Sequence, residues 1–316
     1  MEKKIILDSD LGIDDSIALG TLLGGGADLI GITTTFGNVT PEQSAENIAS
    51  LLSLSGHEDL PIHVGNSIRF NGTPYQRLKV TNDIHGINGF ANIKLPVSGK
   101  QYPHDAADWL ISMIHQYQKD LDLMFIGSLN NLACALEKEP NIADGMGTLY
   151  IMGGCINVPG NVTQYGEANI MDDVEGAALV FQKVHDIRVL GLDVTTATFL
   201  TRDAVKKWGK YELGSYYETA ENFYIDAEEK LDHLRNCAYV HDPSTAVAYF
   251  HPEYFEWRKG KYSVDVGTDS RGRIVQTADS GNQAFAVNVN SMDVLRFIDQ
   301  AMIQYFEEAA SEKVLK

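Results

Sequence analysis

Four carboxylates fall within eight residues near the start of the chain, in Asp8-Ser9-Asp10-Leu11-Gly12-Ile13-Asp14-Asp15. Packed at one place, like charges repel and each raises its neighbours' pKa. A cation removes that conflict, and an all-oxygen donor set points to a hard one, Ca²⁺ or Mg²⁺. Gly12 allows a tight turn, so that Asp10 and Asp15 can approach one ion from both sides. Asp10 reads as the reactive member, with Asp8 behind it. An aspartate here can also cap the following helix, which explains one carboxylate but not four.

Further groups able to do chemistry recur downstream. Gly37-Asn38-Val39-Thr40 is an ordinary turn by composition, but it follows a strand. In Phe125-Ile126-Gly127-Ser128-Leu129-Asn130-Asn131-Leu132 the carbonyl of Ile126 can add a neutral oxygen to an ion's shell, and Ser128 reads as a helix cap. Met152-Gly153-Gly154 lacks the partners of a phosphate loop. The loop after it, Pro159–Asn169, carries Asn161, Glu167 and Asn169, amides and a carboxylate suited to sugar hydroxyls. His241-Asp242-Pro243 opens a helix, with Asp242 as cap and Pro243 at the first position.

These groups need a scaffold that gathers them. Lys4–Leu7 reads as a short buried strand, and apolar residues resume at helical spacing through Ile17, Leu19, Leu22 and Leu23. Strand-like and helix-like segments then alternate. Strands are expected at 29–35, 62–64, 121–126, 148–152 and 187–190, and helices at 41–54, 106–117, 129–136 and 174–183. Such units imply right-handed crossovers and a mostly parallel open sheet with flanking helices, its site at the carboxyl ends of the strands. Gly65–Pro103 is too long for a plain connector, which suggests function. After Thr201 the pattern is mainly helical, with 215–232, a run after Asp242 and 292–306. Segments 261–266 and 273–277 read as a hairpin turning at Ser270-Arg271-Gly272. No repeat or linker interrupts the chain, so one domain spanning residues 1–316 is expected.

Composition narrows the function. Of 316 residues 44% are hydrophobic and 22% charged, ordinary globular values. Asp and Glu outnumber Lys and Arg by 43 to 25, a formal charge of −18, which argues against a nucleic-acid partner. Cys134, Cys155 and Cys237 form no close-spaced pair, as suits a reducing compartment. No apolar run approaches a membrane span, and the first residues already read as core strand, so a cytoplasmic protein is expected.

Taken together, these blocks resemble one family, the nucleoside hydrolases of the inosine–uridine-preferring type. The likeness is carried by Asp8–Asp15, Gly37–Thr40, Gly127–Ala133, Met152–Gly154, Gly160–Thr163, Glu167–Asn169 and His241–Pro243, in order along nearly the whole chain. The resemblance implies a single α/β domain and a Ca²⁺ ion held by Asp10, Asp15, Asp242 and the carbonyl of Ile126. It makes Asp10 the general base and His241 the acid toward the departing base. Asp14, Asn161, Glu167, Asn169 and Asp242 would hold the ribose, with Asn38 close by. It further implies a homodimer or homotetramer. Leu11 stands where the family usually has Pro, and Ser16 where it often has Ala. Ala168 replaces an aromatic of some members, and His85-Gly86-Ile87-Asn88-Gly89 has Asn for the family's Asp. The last two changes bear on base preference.

Cleavage of an N-glycosidic bond passes through an oxocarbenium-like state, which a carboxylate-rich pocket stabilises more than it stabilises neutral substrate. Two other readings use the same residues. A haloacid-dehalogenase-like Mg²⁺ phosphatase would need a nucleophilic Asp8 and leaves Asn161–Asn169 and His241-Asp242 without work. A nucleoside- or ribose-binding protein would keep the site without the reaction. Gly65–Pro103 and Glu221–Cys237 are expected to form a mobile rim over the base.

Overall fold

Ile5, Ile6 and Leu7 are all fully buried, which is possible only for a strand covered on both faces. In the computed structural model, which describes residues 3–315, that strand is central. The first two-thirds of the chain runs β1 (Lys4–Ser9), α1 (Ile13–Gly24), β2 (Asp28–Thr34), α2 (Pro41–Leu54), β3 (Ile62–Val64), α3 (Lys79–His85), α4 (Ala106–Tyr117), β4 (Leu121–Phe125), α5 (Asn130–Lys138), α6 (Ile142–Gly145), β5 (Leu149–Met152), α7 (Ala168–Asp172), α8 (Val174–Lys183), β6 (Ile187–Leu190) and α9 (Leu192–Thr195). The remainder is β7 (Phe199–Thr201), α10 (Arg202–Lys206), α11 (Glu212–Leu231), β8 (Cys237–Tyr239), α12 (Asp242–Phe250), β9 (Phe255–Val264), β10 (Ile274–Val289) and α13 (Ser291–Leu315).

Eight strands form one sheet in the order β3-β2-β1-β4-β5-β6-β10-β9, and β7 pairs with β8 in a separate antiparallel ribbon. Every neighbour in the large sheet is parallel except β10 with β9. The chain winds outward from β1 to β3, then returns to β4 on the other side of β1. That reversal splays the loops after β1 and β4 apart and opens a crevice at their carboxyl ends. Ile5 and Leu7 feed the core on one side of the sheet, against Trp208, Tyr217 and Phe306; Ile6 feeds the other, with Phe125, Ile151 and Phe181.

The hairpin near the C-terminus is longer than its sequence suggests, pairing all of β9 with β10. Residues 275–282 of β10 are largely exposed, so the apolar signal stops at Thr277, yet Ala284 and Phe285 go on to pair with Arg188 and Val189 of β6. Leu129, not Ser128, precedes α5 at the cap position. The Ser128 hydroxyl is spent on Thr35, Oγ to Oγ1 2.6 Å, tying the loops after β4 and β2 together. The cap of α12 is His241, with Asp242 already in the helix, so the helix starts one residue earlier than the Asp–Pro pair implies. Gly65–Pro103 holds the short helix α3 and an isolated antiparallel bridge between Ile68 and Pro74, and is otherwise irregular.

The crossing of α1 with α13 depends on close backbone approach. A Cβ at Gly24 would stand 1.9 Å from the carbonyl oxygen of Ala301, and a backbone atom cannot swing aside. Gly24→Ala is therefore expected to cost about 1–3 kcal/mol of stability, read as a lower denaturation midpoint. A wild-type midpoint would show that the two helices separate freely.

Candidate active site

The loop after β1 turns at Gly12 and delivers three carboxylates to one point. Ser9 Oγ donates to Asp15 Oδ1 (2.7 Å), and the Gly12 amide and the Asn38 side-chain amide donate to Asp15 Oδ2 (2.8 and 3.0 Å). Asp15 is thus locked while its helix begins. The Asn38 backbone amide donates to Asp10 Oδ2. Asp10 is also hemmed in by glycines: a Cβ at Gly37 would fall 2.0 Å from its Oδ2, and one at Gly127 2.6 Å from its Oδ1. Only residues without side chains let the loops after β2 and β4 close on this carboxylate. Asp10 Oδ1 is buried and has no hydrogen-bond partner among the described residues.

Asp242 comes from the far end of the chain, carried in by the β7–β8 ribbon and the start of α12. Carboxylate oxygens of Asp14, Asp15 and Asp242 lie within 4.8 Å of one another, all three residues buried. Burial pushes all four site carboxyls up, and like charge adds to it at Asp10, Asp14 and Asp242: Asp14 to about 7, Asp10 and Asp242 well above the carboxylate range. Such a cluster favours a cation with oxygen ligands, and the unpartnered Asp10 Oδ1 is a donor ready for it. The residues fit a hard metal ion.

Asp8 is different. Its Oδ2 accepts from Thr33 (2.5 Å) and from the Asn131 amide (2.7 Å), and Asn131 also donates to the Thr34 carbonyl at 2.9 Å. Fully buried and outside the cavity wall, Asp8 cross-links β1, β2 and α5. Asp10 and Asp15 also lie outside that wall; what sets Asp8 apart is that its bonded oxygen is held by donors from β2 and α5.

Above the carboxylates opens a cavity of about 590 Å³, walled by Asp14, Asn38, Ile126, Asn161, Glu167, Asn169, His241 and Asp242, among others. Every residue expected to hold the sugar is therefore in one place. Their tasks differ from the expectation in detail. Glu167 caps α7 and accepts from the amides of Asn169 (2.9 Å), Ile170 (3.3 Å) and Gly154 (2.8 Å), so its carboxylate organises the loop as much as it faces the cavity. Asn161 Oδ1 accepts from the Ala168 amide at 3.0 Å. Asn169 donates to the carbonyls of Ile126 (3.0 Å) and Met152 (3.1 Å), which fixes the strand-end carbonyl expected to face an ion. His241 Nδ1 is 2.8 Å from Thr195 Oγ1, and burial lowers its pKa to about 4.

Several residues at the site carry no sequence signal of their role. His85 Nδ1 accepts from the Ile13 amide at 3.1 Å, so the ring is pinned to the start of α1; burial takes its pKa to about 3. Its segment stood out in the sequence, though its partner did not. Tyr224, Glu228 and Leu231 join the wall from α11, with Asp232 just after it. Asp172 is buried beside Asp10 and Glu167. Tyr75 stacks on Phe36 (4.6 Å between centroids) and donates to the Gly37 carbonyl at 3.0 Å.

A sequence model described as inosine-uridine preferring nucleoside hydrolase matches residues 5–302. The chain is 33% identical over 268 residues to uridine nucleosidase 1 of Arabidopsis thaliana, covering 83% of this chain and 78% of that protein. It is 30% identical over 257 residues to the inosine-uridine preferring nucleoside hydrolase of Crithidia fasciculata, 79% of each chain. Its fold matches the solved structure of a purine-preferring ribonucleoside hydrolase from Gardnerella vaginalis with a TM-score of 0.91 and 32% identity, covering 97% of this chain and 99% of that one.

The raised carboxyls set the pH dependence of the metal-free protein. A carboxyl whose folded pKa exceeds its unfolded value stabilises the fold at low pH, and that contribution disappears as pH rises through the folded pKa. Asp8 and Asp14 rise from 3.8 to about 7, so metal-free protein should lose thermal stability between about pH 4 and pH 8. Added Ca²⁺ should restore it, by about 2.7 kcal/mol at one hundred times its Kd, and more at pH 8 than at pH 5. A melting temperature independent of Ca²⁺ at every pH would remove the metal assignment.

Proposed function

The chain belongs to the inosine-uridine preferring nucleoside hydrolases, and from that membership we propose that it hydrolyses the N-glycosidic bond of ribonucleosides such as inosine, uridine or cytidine, giving free base and ribose, with Ca²⁺ as its metal. The observation that carries the reading is the buried carboxylate cluster of Asp14, Asp15 and Asp242, of which Asp14 and Asp242 line a cavity also walled by amides and His241. Relatives named for uridine, inosine-uridine and purine preference leave the base to be read from this chain's own residues.

Asp10, Asp15, Asp242 and the carbonyl of Ile126 would hold the ion. When bound, it supplies a fixed positive charge at the ribose diol and lowers the pKa of water beside it. Asp10, held by the Asn38 amide and enclosed by Gly37 and Gly127, takes the proton of the attacking water. Asp14, Asn161, Asn169 and Asp242 orient the ribose, and Glu167 and Asn38 hold the loops that present them. Positioning removes much of the entropic cost of bringing water to the anomeric carbon, and the carboxylates oppose the charge that grows on the sugar ring. His241, oriented through Nδ1 by Thr195, offers Nε2 to the departing base. Its lowered pKa means that any proton it carries is readily given up.

The test is free-ribose release from a panel of nucleosides, with and without chelator. Turnover should depend on Ca²⁺, and Asp10→Asn should lower kcat about 10²–10⁴-fold at saturating Ca²⁺. Binding without turnover would make the chain a nucleoside-binding protein instead. Release undiminished in the variant would move the base elsewhere.

His241 is separable by leaving group. A proton donor matters for hypoxanthine or uracil and little for nitrophenolate, which departs as a stable anion. His241→Ala should slow inosine or uridine hydrolysis about 10²-fold while sparing nitrophenyl riboside. Equal losses on both substrates would make His241 structural.

A further inference from the structure

Helix α11 carries two buried carboxyls that no step above uses. Glu221 is 1% exposed and Glu228 6%, and Oε2 of each is buried with no hydrogen-bond partner among the described residues. One difference separates them. Glu221 packs behind the site, where Asp14 and Glu228 act on it, and is outside the cavity wall; Glu228 is part of that wall. Seven residues along a helix is about 10 Å. The two carboxyls thus stand about 10 Å apart along the helix, and only Glu228 reaches the cavity.

Glu228 has the surroundings of a heteroaromatic ligand. One turn before it is Tyr224, whose ring meets that of His85 at 5.5 Å. Leu231, Tyr239 and Ile84 line the same space. These offer flat or apolar surface to a ring, whereas a polar atom buried without a partner is costly unless something pairs with it. Burial first, then the charges of Asp232 and of Asp14 at the ribose floor, push its carboxyl up to about 8, against a hydrogen bond with Tyr224 that lowers it. Near neutrality it therefore presents an O–H donor beside a carbonyl acceptor. Uracil offers the complementary pair at N3–H and the 4-carbonyl, and hypoxanthine at N1–H and the 6-carbonyl. In both, that edge is the one turned away from the sugar.

We infer that Glu228 reads this edge of the nucleobase and is a specificity-determining residue of the cavity. The inference rests on the ribonucleoside reading above and commits the base subsite to rings that carry an adjacent N–H and carbonyl.

The test compares kcat/KM of the Ca²⁺-loaded full chain for uridine, 3-methyluridine, inosine, 1-methylinosine and nitrophenyl riboside, in wild type, Glu228→Gln and Glu228→Leu. Wild type should use the methylated nucleosides about 10–10²-fold less well than their parents, and equal rates would overturn the inference without any variant. Glu228→Gln keeps a donor beside an acceptor and should stay close to wild type. Glu228→Leu should lose about 10–10²-fold on uridine and inosine, lose the discrimination against methylation, and keep nitrophenyl riboside turnover. Loss on all substrates alike would make Glu228 structural. A Gln variant as poor as Leu on the natural nucleosides would make it a proton donor, which also overturns edge reading. Nitrophenyl riboside has no such edge: wild type that fails to cleave it overturns the ribosidase reading itself and this inference with it.

Discussion

Four carboxylates buried against one another at the end of a central strand are the constraint from which the rest of the structure follows. Asp10, Asp14, Asp15 and Asp242 all have their pKa raised by burial, and a fold gains nothing from such a cluster unless a positive charge joins it. That charge can be a bound cation throughout and a sugar-ring cation at the transition state. Tolerance of a destabilised cluster is what equips the site for both.

Holding the cluster takes neutral donors and bare backbone, not counter-charges. Ser9, Gly12 and Asn38 satisfy Asp15; Asn38 satisfies one oxygen of Asp10; Thr33 and Asn131 satisfy Asp8. None of these donors carries a charge that would compete for the cation. Lys and Arg are absent from the cavity wall among the described residues, consistent with a pocket that must attract positive charge. Asp8 then serves as a rivet between β1, β2 and α5, and the crevice stays aligned because its base cannot shift.

The floor and the walls of the cavity come from different parts of the chain for a topological reason. The reversal between β1 and β4 brings the loops after β1, β2 and β4 to one edge, and these supply the acids and the carbonyl. The β7–β8 ribbon and the start of α12 deliver His241 and Asp242, while α3 and α11 supply His85, Tyr224 and Glu228. A rigid sheet thus holds the part that must be precise. Elements outside it hold the part that we propose meets the base.

Local pattern was enough for the parallel sheet and for naming candidate site residues. Apolar strands followed by helical spacing specify crossovers, and crossovers place strand ends together, so Asp10, Asp14, Asp15, Asn38, Ile126, Asn161, Glu167 and Asn169 could be grouped from spacing and family likeness. What the structure adds is that Asp14, Asn38, Ile126, Asn161, Glu167 and Asn169 line one cavity with His241 and Asp242, while Asp15 joins the carboxylate cluster without lining the cavity and Asp10 lies outside the wall. Pattern failed where a residue's partner is remote in sequence. Ser128 reads as a cap because nothing local reveals Thr35. Asn131 lies 123 positions from Asp8, and β10 continues past its polar stretch only because β6 is there to pair with it. Glu228 belongs to the stretch expected to form a mobile rim, yet it is buried in a helix that packs against α3 and β8. Residue type and spacing determine which groups can do chemistry; which of them face a ligand is decided by burial and long-range contacts, and these exist only once the chain has folded.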